Sequence, residues 1–141
     1  MTSPPPGYHS LCPFVIADGA QDLVAFLSAA FGAIERERIT RTDGSIGHAE
    51  VQIGDSVVML TDATDQLPPR PSAFYIYVDD VDETFARAVA AGGVIRSEPA
   101  NQFYGNREAA VVDRCSNIWW MATAVEEVPV AELQARYDAQ V

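Results

Sequence analysis

The sequence predicts an α+β fold in which one βαβββ unit occurs twice in a single chain. Three observations predict it: an internal repeat, a glycine stop at the end of a helix in each copy, and strand-type alternation after each stop. Shifting the chain by 61 residues places Phe14 on Tyr75, Val15 on Ile76, Asp18 on Asp79, Gly32 on Gly93 and Ile34 on Ile95. The match resumes with Gly47-x-x-Glu50 on Gly105-x-x-Glu108, and again with Met59 on Trp120. Self-similarity at a fixed period is the signature of a repeated supersecondary unit.

Each copy opens on an apolar run rich in β-formers, Cys12 to Ala17 and Ala73 to Val78. A helix follows, and the pairs Asp18/Gln21 and Asp80/Glu83 have capping-box spacing. The first helix should bury Leu23, Phe26, Leu27 and Ala30; the second should bury Val81, Phe85, Ala88 and Val89. Gly32 and Gly92-Gly93 supply the left-handed residue on which helices commonly end. Three strands then follow in each copy. They are expected at Ile34 to Arg41, Ile46 to Ile53 and Ser56 to Thr61, then at Val94 to Ser97, Arg107 to Asp113 and Ile118 to Thr123. Asp43-Gly44 and Gly54-Asp55 mark turns between strands of the first copy. The expected organisation is a flexible lead-in (1–8), a first module (9–65), a linker with three prolines (66–72), a second module (73–125), and a tail with a short helix (126–141).

Composition narrows the function classes. The chain has 141 residues, is 48% hydrophobic and carries a net charge of −11. A chain this acidic repels phosphate backbones, so no nucleic-acid partner is expected. No apolar stretch reaches the ~20 residues of a membrane span. The lead-in lacks the basic residues of a signal peptide, so a cytoplasmic location is expected. All nine basic residues are Arg, which excludes Schiff-base lysine chemistry and a P-loop lysine. The only cysteines, Cys12 and Cys115, are read as thiols, and CxxC, HExxH, GxSxG and GxGxxG are all absent.

The segments Phe31-Gly32-Ala33, Gly47-His48-Ala49-Glu50, Ile53-Gly54-Asp55-Ser56, Val78 to Asp82, Phe103 to Arg107 and Asp113 to Trp120 resemble the vicinal oxygen chelate superfamily. That superfamily includes glyoxalase I, extradiol dioxygenases and bleomycin-resistance proteins, and the PhnB-like branch looks nearest. The resemblance spans roughly Cys12 to Thr123. It implies a curved mixed sheet with a central cleft, a homodimer, and, in metalloenzyme members, four ligands on the first and last strands of each module. Those positions here are Cys12, Met59, Ala73 and Trp120, a set without a single imidazole or carboxylate. No metal or cofactor of the usual kind is therefore expected.

Strand alternation assigns the cleft its residues. Cys12, Phe14, Met59, Tyr75, Tyr77 and Trp120 are candidate ligand contacts, although the same residues also serve as core in many sheets. Tyr104 can stack on a ligand and Arg107 can pair with an anionic group; the alternative is a structural turn with an Arg salt bridge. His48 and Glu50 share a strand face, either as a proton-transfer pair or as the outward polar face of an antiparallel sheet. Three functions remain open. One is a non-catalytic binder that sequesters a hydrophobic or aromatic drug or metabolite. Another is a metal-independent isomerase, lyase or cyclase using His48, Glu50 and Tyr104. The last is a metal-dependent lyase or dioxygenase with displaced ligands.

Overall fold

The computed structural model describes residues 3–140; Met1 and Thr2 of the expected lead-in and Val141 of the tail lie outside the described residues. The chain folds as β1 (Phe14–Ala17), α1 (Ala20–Phe31), β2 (Ile34–Thr40), β3 (Ile46–Ile53), β4 (Ser56–Asp62), β5 (Ala73–Tyr77), α2 (Val81–Ala90), β6 (Val94–Asn101), β7 (Asn106–Val112), β8 (Ile118–Ala124) and α3 (Val130–Asp138). The eight strands form two four-stranded sheets, ordered β1-β4-β3-β2 and β5-β8-β7-β6. In each, the first strand runs parallel to the last, and the remaining pairs are antiparallel.

The register shows how sequence period becomes packing. Val15, Ala17, Ala49, Val51 and Leu60 point one way and are buried under α1, whose Leu23, Phe26, Leu27 and Ala30 are also buried. In the second module Ala109, Val111, Trp119 and Met121 do the same under α2, which buries Val81, Thr84 and Ala88. Phe85 and Val89 pack against this core from a half-buried position. The modules meet through α1 and α2. An aromatic stack adds to this contact: Trp119 lies 4.4 Å from Phe74 and 5.3 Å from Phe31, which belongs to the first module. Beneath it, buried Asp113 accepts hydrogen bonds from the Trp119 indole (2.8 Å), the Asn117 side chain (3.0 Å) and the backbone N–H groups of Cys115 and Asn117. Asn117 in turn accepts from the backbone N–H of Ser72, which fixes the end of the linker.

Helix starts differ from the expectation in an informative way. Asp80 caps α2 through the N–H of Glu83 as its spacing predicts. Asp18 does not cap α1: Gly19, with φ at 96°, occupies the cap position and offers no side chain. The first-turn N–H of Ala20 instead donates to Asp62 at the end of β4 (2.8 Å), and the same carboxylate accepts from Ile46 N–H (2.7 Å). Thr123, the residue 61 positions on, accepts from Val81 N–H at the start of α2. Both modules thus satisfy a helix N-terminus from the last strand of their sheet, a contact no local pattern reveals. Gly32 ends α1 in the left-handed conformation as expected, and Gly92 follows the last turn of α2 at φ 105°.

Candidate ligand-binding faces

Each sheet presents its second face away from its helix, and the open faces collect most of the sequence candidates. In the first module the register aligns Phe14, Met59, Glu50 and Glu37 across β1, β4, β3 and β2. One step along lie Ile16 and Thr61, with His48 opposite Ile39. In the second module Tyr75, Trp120 and Ala110 form one row, and Tyr77, Ala122 and Glu108 the next. Phe14 is 50% exposed, Tyr75 45% and Tyr77 68%. Large aromatic surfaces left bare on a sheet face are the usual mark of a contact surface, not of a core.

Within these apolar faces sit two buried carboxylates. Glu50 is held by His48 (Nε2 to Oε2, 2.8 Å) and by the phenol of Tyr8, which donates to its other oxygen. Tyr8, expected to belong to a flexible lead-in, is therefore tied to the sheet, and the Arg36 guanidinium lies 5.2 Å from its ring centre. Burial alone would push the Glu50 carboxyl upward, but the hydrogen bonds from His48 and Tyr8 outweigh it and hold the group below its ordinary value. Glu108 accepts from Tyr75 (2.5 Å) and Tyr104 (2.6 Å), and Asn106 donates to the Tyr75 hydroxyl (2.8 Å). Burial, and then the bond to Glu108, push the Tyr75 phenol up to about 12 and raise Tyr104 as well.

The repeat proves more offset than the sequence match of Glu50 with Glu108 suggests. Following the register from Phe14–Met59 and Tyr75–Trp120, the residue that corresponds to Glu50 is Ala110, and Glu108 takes the place of His48. The two open faces are therefore chemically different.

Several candidates are redistributed. Tyr104 belongs with Glu108 in the second module and does not join His48 and Glu50. Arg107 alternates with Glu108 and so faces the helix side, where its guanidinium forms a two-pronged pair with Asp82 of α2 (2.8 and 2.9 Å); it is the structural salt bridge, not an anion contact on the open face. Cys12 precedes β1, and its thiol donates to the carbonyl of His9, at 3.7 Å. The four family ligand positions do not fit a metal. Met59 lies opposite Phe14, Ala73 opposite Ile118 and Trp120 opposite Tyr75; a thioether, a methyl group and an indole N–H without a free lone pair do not make a site for a borderline divalent ion. Two features escaped sequence reasoning. Glu37 faces Glu50 directly across β2 and β3, after a bulge that no residue pattern signals. A cavity of about 690 Å³ opens between the modules; it is lined by Phe31, Phe74, Tyr75, Tyr77 and Trp119, with Asp79, Asp80 and Glu83 at its polar end. Of the site candidates only Tyr75 and Tyr77 reach it.

The two βαβββ modules, each with an open sheet face, define the glyoxalase/bleomycin-resistance type of fold. The family model of the Glyoxalase/Bleomycin resistance protein/Dioxygenase superfamily matches residues 11–121, and the chain belongs to that superfamily. It is similar to the uncharacterized protein Mb0911c of Mycobacterium bovis, at 31% identity over 142 residues and 93% of each chain. Among solved structures it shares its fold with TioX from Micromonospora sp. ML1, with a TM-score of 0.69 and 23% identity over 82% of this chain and 98% of that one. A PhnB protein from Bacillus cereus gives a TM-score of 0.66 and 15% identity, covering 82% of this chain and 100% of the other. TnmS3, an antibiotic binding protein from Streptomyces sp. CB03234, gives 0.64 and 21%, covering 82% and 97%.

Proposed function

We propose that this protein binds a planar, hydrophobic or aromatic small molecule on its open sheet faces and sequesters it, without the four-ligand metal centre of the family's metalloenzymes. The observation that carries the reading is the set of exposed aromatics on the open faces, Phe14 in the first module and Tyr75 and Tyr77 in the second, the latter beside half-buried Trp120. Such surfaces stack flat ligands and dehydrate them at little entropic cost, because aromatic side chains have few torsions to freeze. TnmS3, a protein of the same fold, is an antibiotic binding protein, which supports a small-molecule ligand here. Each open face is one wall of a cleft, so a homodimer that brings a first-module face against a second-module face of the partner completes the site. Among the described residues no helix is long and apolar enough to cross a membrane. A cytoplasmic binder is the reading that suits this and the acidic composition.

A second reading has one observation in its favour. The 2.8 Å contact between His48 and Glu50 is a carboxylate-oriented imidazole, 27% exposed at its side chain and able to move a proton on a bound ligand as an isomerase, lyase or cyclase would. The two readings separate in one experiment. Purified protein is titrated with a panel of polycyclic aromatic drugs, following tryptophan fluorescence and native mass, and each captured compound is then incubated and analysed for conversion. Saturable binding that weakens at least tenfold in W120A and Y75A, with no conversion, is the expected result. Conversion that disappears in E50Q while affinity holds would replace sequestration by catalysis. Light scattering in the same samples checks the dimer.

A further inference from the structure

We propose that Glu37, His48 and Glu50 form a binding site for one borderline divalent cation of the Zn²⁺ or Mn²⁺ type, on the open face of the first module; none of the three occupies one of the family's four ligand positions, although one of those, Met59, is the cross-strand neighbour of Glu50. One donor atom from each residue lies within 4.8 Å of the other two, and His48 Nε2 is already 2.8 Å from Glu50 Oε2. Ligand atoms bound about 2.0–2.2 Å from a common ion stand roughly 3–4 Å apart, so small side-chain rotations close the set. One imidazole and two carboxylates suit a cation between the hard alkaline earths and the thiolate-seeking metals.

Charge supports the site independently of spacing. Glu37 and Glu50 are direct cross-strand partners, an arrangement that like charges destabilise. Glu50 is 95% buried, its relative exposure being 5%. The guanidiniums nearby are directed elsewhere. Arg36 bonds Gln52 and covers Tyr8, and Arg38 bonds Glu35 and Gln21. Among the described residues no Arg forms an ion pair with either carboxylate. Two carboxylates converging on one imidazole create a negative pocket that a divalent ion neutralises.

The architecture does not impose the cluster. The positions that correspond in the second module are Ser97, Glu108 and Ala110, which leave a single carboxylate bonded by two phenols. Around the cluster lies the kind of support a metal site needs. Tyr8 donates to the Glu50 oxygen that His48 leaves free, fixing the carboxylate's orientation, and the Phe14 ring stands 6.3 Å from the imidazole as an apolar wall. Glu37 is exposed and His48 half-buried, so the ion enters from solvent. On this arrangement the cation leaves coordination positions facing the aromatic surface.

The test needs no organic ligand, so its outcome is independent of the sequestration reading. Full-length protein is stripped with chelator, and Zn²⁺ and Mn²⁺ are each titrated by calorimetry at pH 7.5, with elemental analysis after gel filtration. The expected result for at least one ion is a single site with micromolar or tighter affinity. That affinity should fall at least tenfold in H48A and in E37Q, and roughly tenfold in Y8F, as for loss of an orienting hydrogen bond. E37Q alters an exposed side chain, and circular dichroism confirms that each variant is folded. The double variant H9A/C12S keeps the site. Absence of saturable binding by either ion at 100 μM would overturn the proposal. So would binding that survives both H48A and E37Q but is lost in H9A/C12S, since that would place the ion at the chain's other imidazole and thiol.

Discussion

Replacing Glu108 by Gln tests the account of the second open face. The carboxylate is 9% exposed and accepts two phenolic O–H groups, from Tyr75 and Tyr104. Hydrogen bonds to a charged group contribute about 1.5–3 kcal/mol each, and neutral ones about 1. The amide of Gln accepts from one phenol and its N–H₂ donates to the oxygen of the other, so both charge-assisted bonds become neutral and one reverses direction. Tyr75 is 45% exposed and can turn to water, which limits the damage. The expected loss is therefore about 2 kcal/mol in urea unfolding at pH 7.5. The same change carries a pH signature. The Tyr75 phenol lies at about 12 against an ordinary 10, so the folded state keeps its proton where the unfolded state has lost it. Stability from this group is complete below pH 10 and disappears as pH rises toward 12. Two pKa units correspond to about 2.7 kcal/mol in a buried site; solvent screening at a half-exposed ring reduces this to roughly 1. Burial, the larger cause, remains in E108Q, so the late component in the alkaline absorbance titration of tyrosine should move to lower pH without vanishing, and the fall in stability between pH 10 and 12 should shrink. A variant with the stability of the parent and an unchanged titration would refute the claim that Glu108 holds both phenols.

Two further changes probe the frame around the faces. Asp113→Ala leaves the Trp119 indole, the Asn117 amide and two backbone N–H groups without their acceptor beneath the stack that joins the modules; a loss of about 3–5 kcal/mol in chemical denaturation is expected, and less than 1 would mean that water replaces the carboxylate readily. Arg107→Ala removes a pair that is a third to a half exposed, so it should cost no more than about 1 kcal/mol and leave aromatic-ligand affinity unchanged; a tenfold loss of affinity would return Arg107 to the binding face.

Legibility in the sequence followed the range of each interaction. The repeat, the helix faces with Leu23, Leu27 and Ala88, and the stop at Gly32 are set by period and by backbone conformation, both readable along the chain. The order βαβββ follows from those alone; the superfamily was legible as a resemblance, carried by motifs such as Gly47-His48-Ala49-Glu50 and Val78 to Asp82. At the ligand positions that resemblance implies, the side chains of Met59, Ala73 and Trp120 are seen to be poor ligands without coordinates. His48 and Glu50 share a face because they are two residues apart on one strand. What only tertiary structure decided depends on register between strands. One bulge in β2 sets Glu37 opposite Glu50. The path through β5, β8 and β7 equates Glu50 with Ala110 in place of Glu108. Alternation across β7 turns Arg107 toward α2, while the neighbouring loop delivers Tyr104 to the opposite face. A shift of one residue in a strand pair exchanges its two faces, and no local pattern fixes that shift. For that reason the chain itself names the residues able to bind or transfer a proton, and only the folded sheets choose which of them meet.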